Sequence, residues 1–396
     1  MKYQYIEDFK KLGLGLFIHF GLYSVIGKGE WYQEAYKIPF SEYKKALPKF
    51  RVKKNWAKDL VQVAKRAGFK YITITTRHHD GFSLYDTCGL SDYDAPHSGS
   101  QKDLIKEFVD ECRRNDIKPF FYHTLIDWNY KKEDYQQYLL KSLEILCKNY
   151  GDIGGFWFDG AWDETGKNLD FDAIYSTIRK YQPNAMIINN TGLSALGERS
   201  HQEIDAVTFE RGKPFSVNRD DKPIAGEVCD GITDHWGYAK NDICFKSVSS
   251  LVEELVDARR VRCNLLLNTG LRGDGSINPM EKYTLLELGK WINDNRRIIF
   301  DCLPSKIEAD NAFIFEDKEY YYALIKNVPM SANEHVTRKE DRQRVVIHIE
   351  KKIVNAKYMD TNFQKVEIDR KDNSFEILPF IYGTSMSVRV VRFKLK

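Results

Sequence analysis

Residues 55–75 read NWAKDLVQVAKRAGFKYITIT. From Asn55 to Ala67 the apolar side chains recur at helical spacing, and Gly68 stands where a helix C′ glycine is expected. Tyr71–Thr75 then forms a short β-branched and aromatic run, the pattern of a strand buried on both faces. The same unit repeats in both directions. Strands are expected at Leu16–Phe20, Tyr71–Thr75, Lys118–Tyr122, Gly155–Phe158, Met186–Asn189 and Ala206–Phe209. A weak strand is expected at Ile224–Val228 and another strand at Asn264–Asn268. Helical patterns occupy Asp103–Asn115, Lys132–Asn149, Phe171–Tyr181, Val248–Arg260 and Asn278–Asn295, with Asp170 placed to cap one of them. Eight near-continuous apolar strands alternating with helices point to an α/β class, a (β/α)8-like barrel with helices reduced near strands five to seven. An open doubly wound sheet competes with this reading, but no G-x-G-x-x-G or P-loop follows the first strand.

The texture changes after about Leu303. FIFEDKEYYYALIK, RVVIHIEKKI, AKYMDT, FEILPF and SVRVVRFKLK alternate like half-buried antiparallel strands. We read 1–303 as the barrel and 304–396 as a C-terminal antiparallel β-sandwich.

Composition narrows the function. The 396 residues carry 60 Lys+Arg against 57 Asp+Glu, a net charge of +3, without the basic excess of a nucleic-acid binder. No stretch approaches 18 apolar residues, so no membrane partner is expected. The N-terminus lacks an apolar run followed by a small-residue cleavage site. The seven cysteines are odd in number, widely spaced and contain no CxxC pair, unlike a zinc ribbon or disulfide scaffold. A cytoplasmic protein is the expectation. Aromatic residues make up 13% of the chain. Most belong to packing, but some Trp and Tyr could line a pocket for a flat, partly apolar ligand such as a sugar ring.

In a barrel, functional residues sit at the C-terminal ends of the strands and in the loops beyond. Read there, the sequence supplies His19, then Glu30-Trp31, then His78-His79-Asp80. Tyr122 closes strand three, and Trp157 precedes Asp159 on strand four. Asn189-Asn190, Glu210-Arg211, Glu227, Trp236 and Asn268 follow. Paired carboxylates among aromatics suit glycoside hydrolysis, in which one attacks the anomeric carbon or activates water and the other protonates the leaving oxygen. Asp159, on a rigid strand end before a glycine, is the candidate nucleophile. Neighbouring residues on an extended chain point to opposite sides, so His78 and His79 face one site only if the strand has ended. With His19 and Asp80 they could form a metal site; hydrogen bonding of neutral imidazoles to substrate hydroxyls is the alternative we favour, so no metal or cofactor is expected.

At these residues the chain resembles glycoside hydrolase family 29, the α-L-fucosidases. LGLFIHFGLYS with GEWY, TTRHHDGFSLYDT, GFWFDGA, DHWGY, and NLLLNTG followed by GDGSI carry the resemblance, in that order along the chain. It implies a retaining exo-hydrolase acting through a covalent fucosyl-enzyme, on a fucosylated oligosaccharide or glycoconjugate. It implies Asp159 as nucleophile and a fucose pocket built from His19, Glu30, Trp31, His78, His79, Tyr122 and Trp157. Trp236 and Arg211 are further binding candidates. The acid/base is expected at Glu210, with Glu227 as the alternative. Two positions depart from the family pattern. Thr191 stands where many members carry Arg after the paired Asn, and Arg211 could supply that cation. The strand-seven segment reads AGEVCD, without the Trp that often precedes its Glu. A fucose-binding protein without turnover, and a metal-dependent hydrolase on His19, His78 and His79, remain as competing functions.

Overall fold

A computed structural model describes residues 3–328, 343–360, 365–369, 371–380 and 387–396. Eight parallel strands close into a barrel in sequence order. They are β1 (Leu14–His19), β2 (Tyr71–Arg77), β3 (Lys118–Thr124), β4 (Gly155–Asp159), β5 (Met186–Asn189), β6 (Ala206–Glu210), β7 (Ala225–Gly231) and β8 (Asn264–Gly270), and β8 pairs back onto β1. Each expected strand is present. β7 is the main difference: it runs seven residues, six of them buried, and ends three residues beyond the expected Val228.

Helices follow the expected pattern at Trp56–Arg66, Leu104–Arg114, Tyr135–Asn149, Phe171–Tyr181, Val248–Arg259 and Pro279–Asp294. Asp170 caps its helix by accepting from the Ala173 amide. No helix joins β5 to β6 or β6 to β7, where the connections carry Gly192, Gly197, Gly212, Pro214 and Pro223. The β5–β6 seam is thin, with a single register pair, Ile188 with Ala206. A buried polar plug supports it instead. Asp205 accepts from Arg179 (2.6 Å), the Ile187 amide (2.9 Å), Lys222 (3.0 Å) and Tyr5 (3.1 Å).

An N-terminal helix, Gln4–Leu12, was not expected from its polar sequence. It buries Ile6 and Phe9, and the Phe9 ring lies 5.5 Å from Tyr71 and 5.6 Å from Phe120. Inside the barrel Phe17, Tyr71, Phe120, Tyr122 and Trp157 pack in one cluster with Ala206, Ala225 and Cys229. Bulk on β1–β4 is matched by small residues on β6 and β7, so large and small side chains alternate around the interior. Truncating one of these aromatics to Ala is expected to cost about 3–5 kcal/mol. Gly15 belongs to this fit: a Cβ there would lie 2.2 Å from Cζ of Tyr71.

The chain divides into two compact units, Met1–Lys246 with Cys263–Lys290, and Ser247–Arg262 with Trp291–Lys396. The second unit holds the β-sandwich. One antiparallel sheet runs Glu308–Asp310, Gln343–His348, Ser374–Ile377, Ile368–Asp369; the other runs Ile353–Tyr358, Val388–Leu395, Tyr321–Lys326, Ala312–Glu316, Leu303–Pro304. Its own core includes Ile325, Val345, Tyr358, Phe375 and Phe393. Among the described residues no helix is long and apolar enough to cross a membrane.

Candidate active site

A cavity of about 650 Å³ opens at the C-terminal ends of the barrel strands. His19, Glu30, Trp31, His78, Tyr122, Trp157, Asp159, Glu210, Arg211 and Trp236 all line it. These ten were each singled out from the sequence. His79 lies just behind, in contact with Asp159.

Asp159 ends β4. Its Oδ1 accepts from the Gly160 amide (2.9 Å), Trp162 Nε1 (3.1 Å) and Asn190 Nδ2 (3.3 Å). Its Oδ2 accepts from the Tyr122 hydroxyl (3.0 Å), and His79 Nε2 lies 3.3 Å away. Burial alone would push the carboxyl up. His79, Trp162 and Tyr122 outweigh it and hold the group at about 2. Gly160 takes φ +100°, a left-handed conformation that lets the chain turn sharply after Asp159.

Glu210 ends β6. Its Oε2 accepts from Asn190 Nδ2 at 2.7 Å, so one amide nitrogen bridges both carboxylates. Asn190 cannot flip cheaply, because a flip would turn its Oδ1, which accepts from the Thr208 hydroxyl at 2.9 Å, against the two carboxylates. Glu210 responds to its surroundings in the opposite sense to Asp159: burial and the nearby negative charge of Asp159 push its carboxyl up.

Burial disfavours the charged form of His19 and of His78. Asn268 Nδ2 donates to the Trp236 carbonyl (2.8 Å), which turns its Oδ1 toward His19 Nδ1 (2.6 Å). His19 Nδ1 is therefore the protonated nitrogen and Nε2 carries the lone pair. Burial pushes this ring down to about 4. Burial also pushes His78 down, and its ring stacks on Tyr122 at 5.4 Å. His78 and His79 approach one site because β2 has already ended at Arg77; their rings are 4.3 Å apart. Nδ1 of His79 is engaged by Thr124 Oγ1 at 2.6 Å, and the Asp80 carboxylate is engaged by Tyr43 (3.0 Å) and the Phe82 amide (3.2 Å). Among the described residues, the donor atoms that converge within metal-ligand reach are those of Asp234, Asp242 and Cys244, not those of the histidines. The metal reading of His19, His78 and His79 has no geometric basis.

Glu30 is buried and accepts the Gly237 amide at 2.7 Å; burial pushes its carboxyl up. Trp31 is 39% exposed at the mouth, stacked near Trp162 (6.0 Å) and tilted on Trp128 (5.1 Å). The Arg211 guanidinium lies over Trp236 (4.7 Å) and donates to the Asp234 carbonyl (2.7 Å). Thr191 turns away, its hydroxyl donating to the Ala195 carbonyl.

Glu227 is placed differently from its expectation as the alternative acid/base. It pairs in register with Thr208, whereas Glu210 pairs with Cys229, so Glu227 sits two residues deeper in the barrel. It is fully buried and does not line the cavity. Its oxygens accept from the Tyr71 hydroxyl and from Trp157 Nε1 (2.8 Å), and burial pushes the carboxyl up to about 7. Trp162, in the loop after β4, lines the cavity and was not singled out from the sequence; Asn190 was read at the end of strand five, but not its bridge between the two carboxylates.

The family model described as Alpha-L-fucosidase matches residues 1–297. The chain belongs to the α-L-fucosidase family. The tissue alpha-L-fucosidase of Rattus norvegicus is 24% identical over 336 residues, covering 76% of this chain and 71% of that protein. Among solved structures, alpha-L-fucosidase isoenzyme 1 from Paenibacillus thiaminolyticus superposes with a TM-score of 0.85 at 27% identity, over 100% of this chain and 99% of that one. An alpha-L-fucosidase GH29 from Bacteroides thetaiotaomicron, trapped as a covalent intermediate with 2-fluoro-fucosyl fluoride, shares the fold at 22% identity and a TM-score of 0.81, over 99% and 96% of the two chains. Its α-L-fucosidase family makes the chain a member of the glycoside hydrolases, and the barrel with its sandwich is the architecture of these neighbours.

Proposed function

We propose that the protein is a retaining exo-α-L-fucosidase that releases terminal fucose from oligosaccharides or glycoconjugates. One observation carries the reading. Asn190 Nδ2 lies 2.7 Å from a Glu210 oxygen and 3.3 Å from an Asp159 oxygen, which bounds those oxygens to about 6 Å apart, short of the wide spacing that leaves room for water in inverting enzymes. The two carboxyls are also driven in opposite directions, Asp159 down and Glu210 up. A pair split in this way supplies an ionised nucleophile and a protonated acid together.

In this mechanism Asp159 attacks the anomeric carbon while Glu210 passes its proton to the leaving oxygen. A fucosyl ester forms on Asp159. Glu210, now a carboxylate, takes a proton from water as that water attacks the same carbon, and the Asp159 carboxylate is released. His19 Nε2, His78, His79 and Glu30 meet the sugar hydroxyls. Trp31, Tyr122, Trp157 and Trp236 cover its apolar faces and methyl group, and Arg211 acts at the leaving-group side. We assign catalysis to residues 1–303 and an accessory role to 304–396, since all cavity-lining residues fall at or before Trp236. Cys88, Cys112, Cys147, Cys229, Cys244 and Cys302 are free thiols, which supports a reducing, cytoplasmic setting.

The test is the anomer of the first product. With an aryl α-L-fucoside, proton NMR during the first minutes should show α-L-fucose, later mutarotating. Initial β-fucose would replace the retaining reading with inversion, and no release by correctly folded protein would leave a binding protein.

A further inference from the structure

The two oxygens of Asp159 are served by different kinds of donor. Oδ1 takes three nitrogen donors: Gly160 N (2.9 Å), Trp162 Nε1 (3.1 Å) and Asn190 Nδ2 (3.3 Å). Oδ2 takes the Tyr122 hydroxyl (3.0 Å); His79 Nε2, 3.3 Å away, is not aligned as a hydrogen bond to it. A hydroxyl rotates its proton away when its acceptor forms a covalent bond. An indole or backbone N–H has one proton in a fixed direction. Packing also fixes the Trp162 indole, which lies stacked near Trp31 (6.0 Å) and edge-on to His79 (5.9 Å, 89°). A Cβ added at Gly192 would come within 3.2 Å of the Trp162 ring.

We propose that Asp159 attacks through Oδ2, that Oδ1 becomes the carbonyl oxygen of the ester, and that the Trp162 indole N–H acts chiefly to release that ester. This rests on the retaining mechanism above. In the free enzyme and in the departing state Asp159 carries a full negative charge; in the ester it carries none. A hydrogen bond to an ionised acceptor is stronger than one to a neutral acceptor. Trp162 therefore stabilises the carboxylate more than the ester, and by that difference favours hydrolysis of the intermediate over its formation. In the step concerned, the bond from the anomeric carbon to Oδ2 breaks and its electron pair returns to Asp159. Water forms the new bond at the same carbon, and its proton passes to Glu210. Trp162 transfers nothing; it is a positioning residue whose effect is felt through the nucleophile.

The test measures the two half-reactions separately. Wild type, Trp162→Phe and Trp162→His are treated with 2-deoxy-2-fluoro-fucosyl fluoride. Intact-protein mass spectrometry follows growth of the adduct and, after removal of excess reagent, its loss. The account expects Trp162→Phe to lose the adduct about tenfold more slowly, while forming it at a rate within about threefold of wild type. Trp162→His, which keeps a ring N–H, should turn over faster than the Phe variant. Equal slowing of formation and loss in the Phe variant, or a His variant as slow as Phe, would reduce Trp162 to a packing residue and overturn the proposal. Failure of wild type to gain any adduct would instead strike the retaining mechanism, and this inference with it.

Discussion

Two layers of the barrel interior hold carboxylates, and they use them in opposite ways. In the upper layer Asp159 and Glu210 stand at strand ends and line the cavity. In the layer beneath, Glu227 is enclosed between Tyr71 and Trp157. Burial raises all three. What separates them is the surrounding groups: His79, Trp162 and Tyr122 outweigh burial and hold Asp159 at about 2, whereas Tyr71 and Trp157 leave Glu227 at about 7. The carboxylate proposed to attack is surrounded by donors; Glu227, in the layer beneath, is left close to neutral. Through Trp157 the lower layer reaches the upper, since that ring stacks on Tyr122 (5.7 Å, 19°), which donates to Asp159.

The comparison breaks first at Asp159. Asp159→Gly should lower kcat/KM on an aryl fucoside by about 10⁴-fold or more, as loss of a nucleophile does in other covalent enzymes. A loss under tenfold in steady-state assays would place the nucleophile elsewhere. Next comes Glu210→Ala, which should lower kcat by about 10²–10³ on a fucoside with a poor leaving group and by less than about tenfold on one with a good leaving group. Equal impairment on both would remove Glu210 as the acid. The activity of wild type should also fall on the alkaline side, as Glu210 loses the proton it donates.

Glu227→Gln is the smallest and the most diagnostic of the layers. The variant keeps groups able to meet Tyr71 and Trp157, so kcat/KM should change by less than about threefold. Stability should respond instead. The folded group titrates at about 7, above the 4.5 of an unperturbed Glu. Wild type therefore has the full benefit of the protonated form below about pH 4.5 and loses it as pH rises through 7, by up to roughly 3–4 kcal/mol. The Gln variant has no such loss. Its melting temperature relative to wild type should rise between pH 5 and pH 8; a pH-independent difference would mean that Glu227 is ionised throughout.

Much of this arrangement was legible in the sequence. Strands buried on both faces give unbroken apolar runs, and all eight were found where YITIT and its counterparts stand. The chemistry at their ends followed from barrel topology, so His19, His78, Tyr122, Trp157, Asp159 and Glu210 fell into one cavity. What was not legible depended on depth and on loop shape. Strand seven was expected to end at Val228, but β7 continues to Gly231, which drops Glu227 a layer below the cavity. Trp162 sits in a loop turned back by Gly160, and apolar periodicity carries no information about such a turn; the usable signal was an aromatic three residues past the candidate nucleophile. The helix Gln4–Leu12 is mostly polar, and only Ile6 and Phe9, meeting the barrel interior, explain its burial.

The central claim is that Asp159 forms a covalent bond to the sugar. Chemical rescue tests it most directly: Asp159→Gly is assayed on an aryl α-L-fucoside with and without sodium azide. The account predicts that azide restores a substantial part of the lost rate and yields β-L-fucosyl azide, because the small anion fills the space of the carboxylate and attacks from its side. Restored activity with an α-configured azide product, or a folded variant whose activity never depended on Asp159, would contradict it.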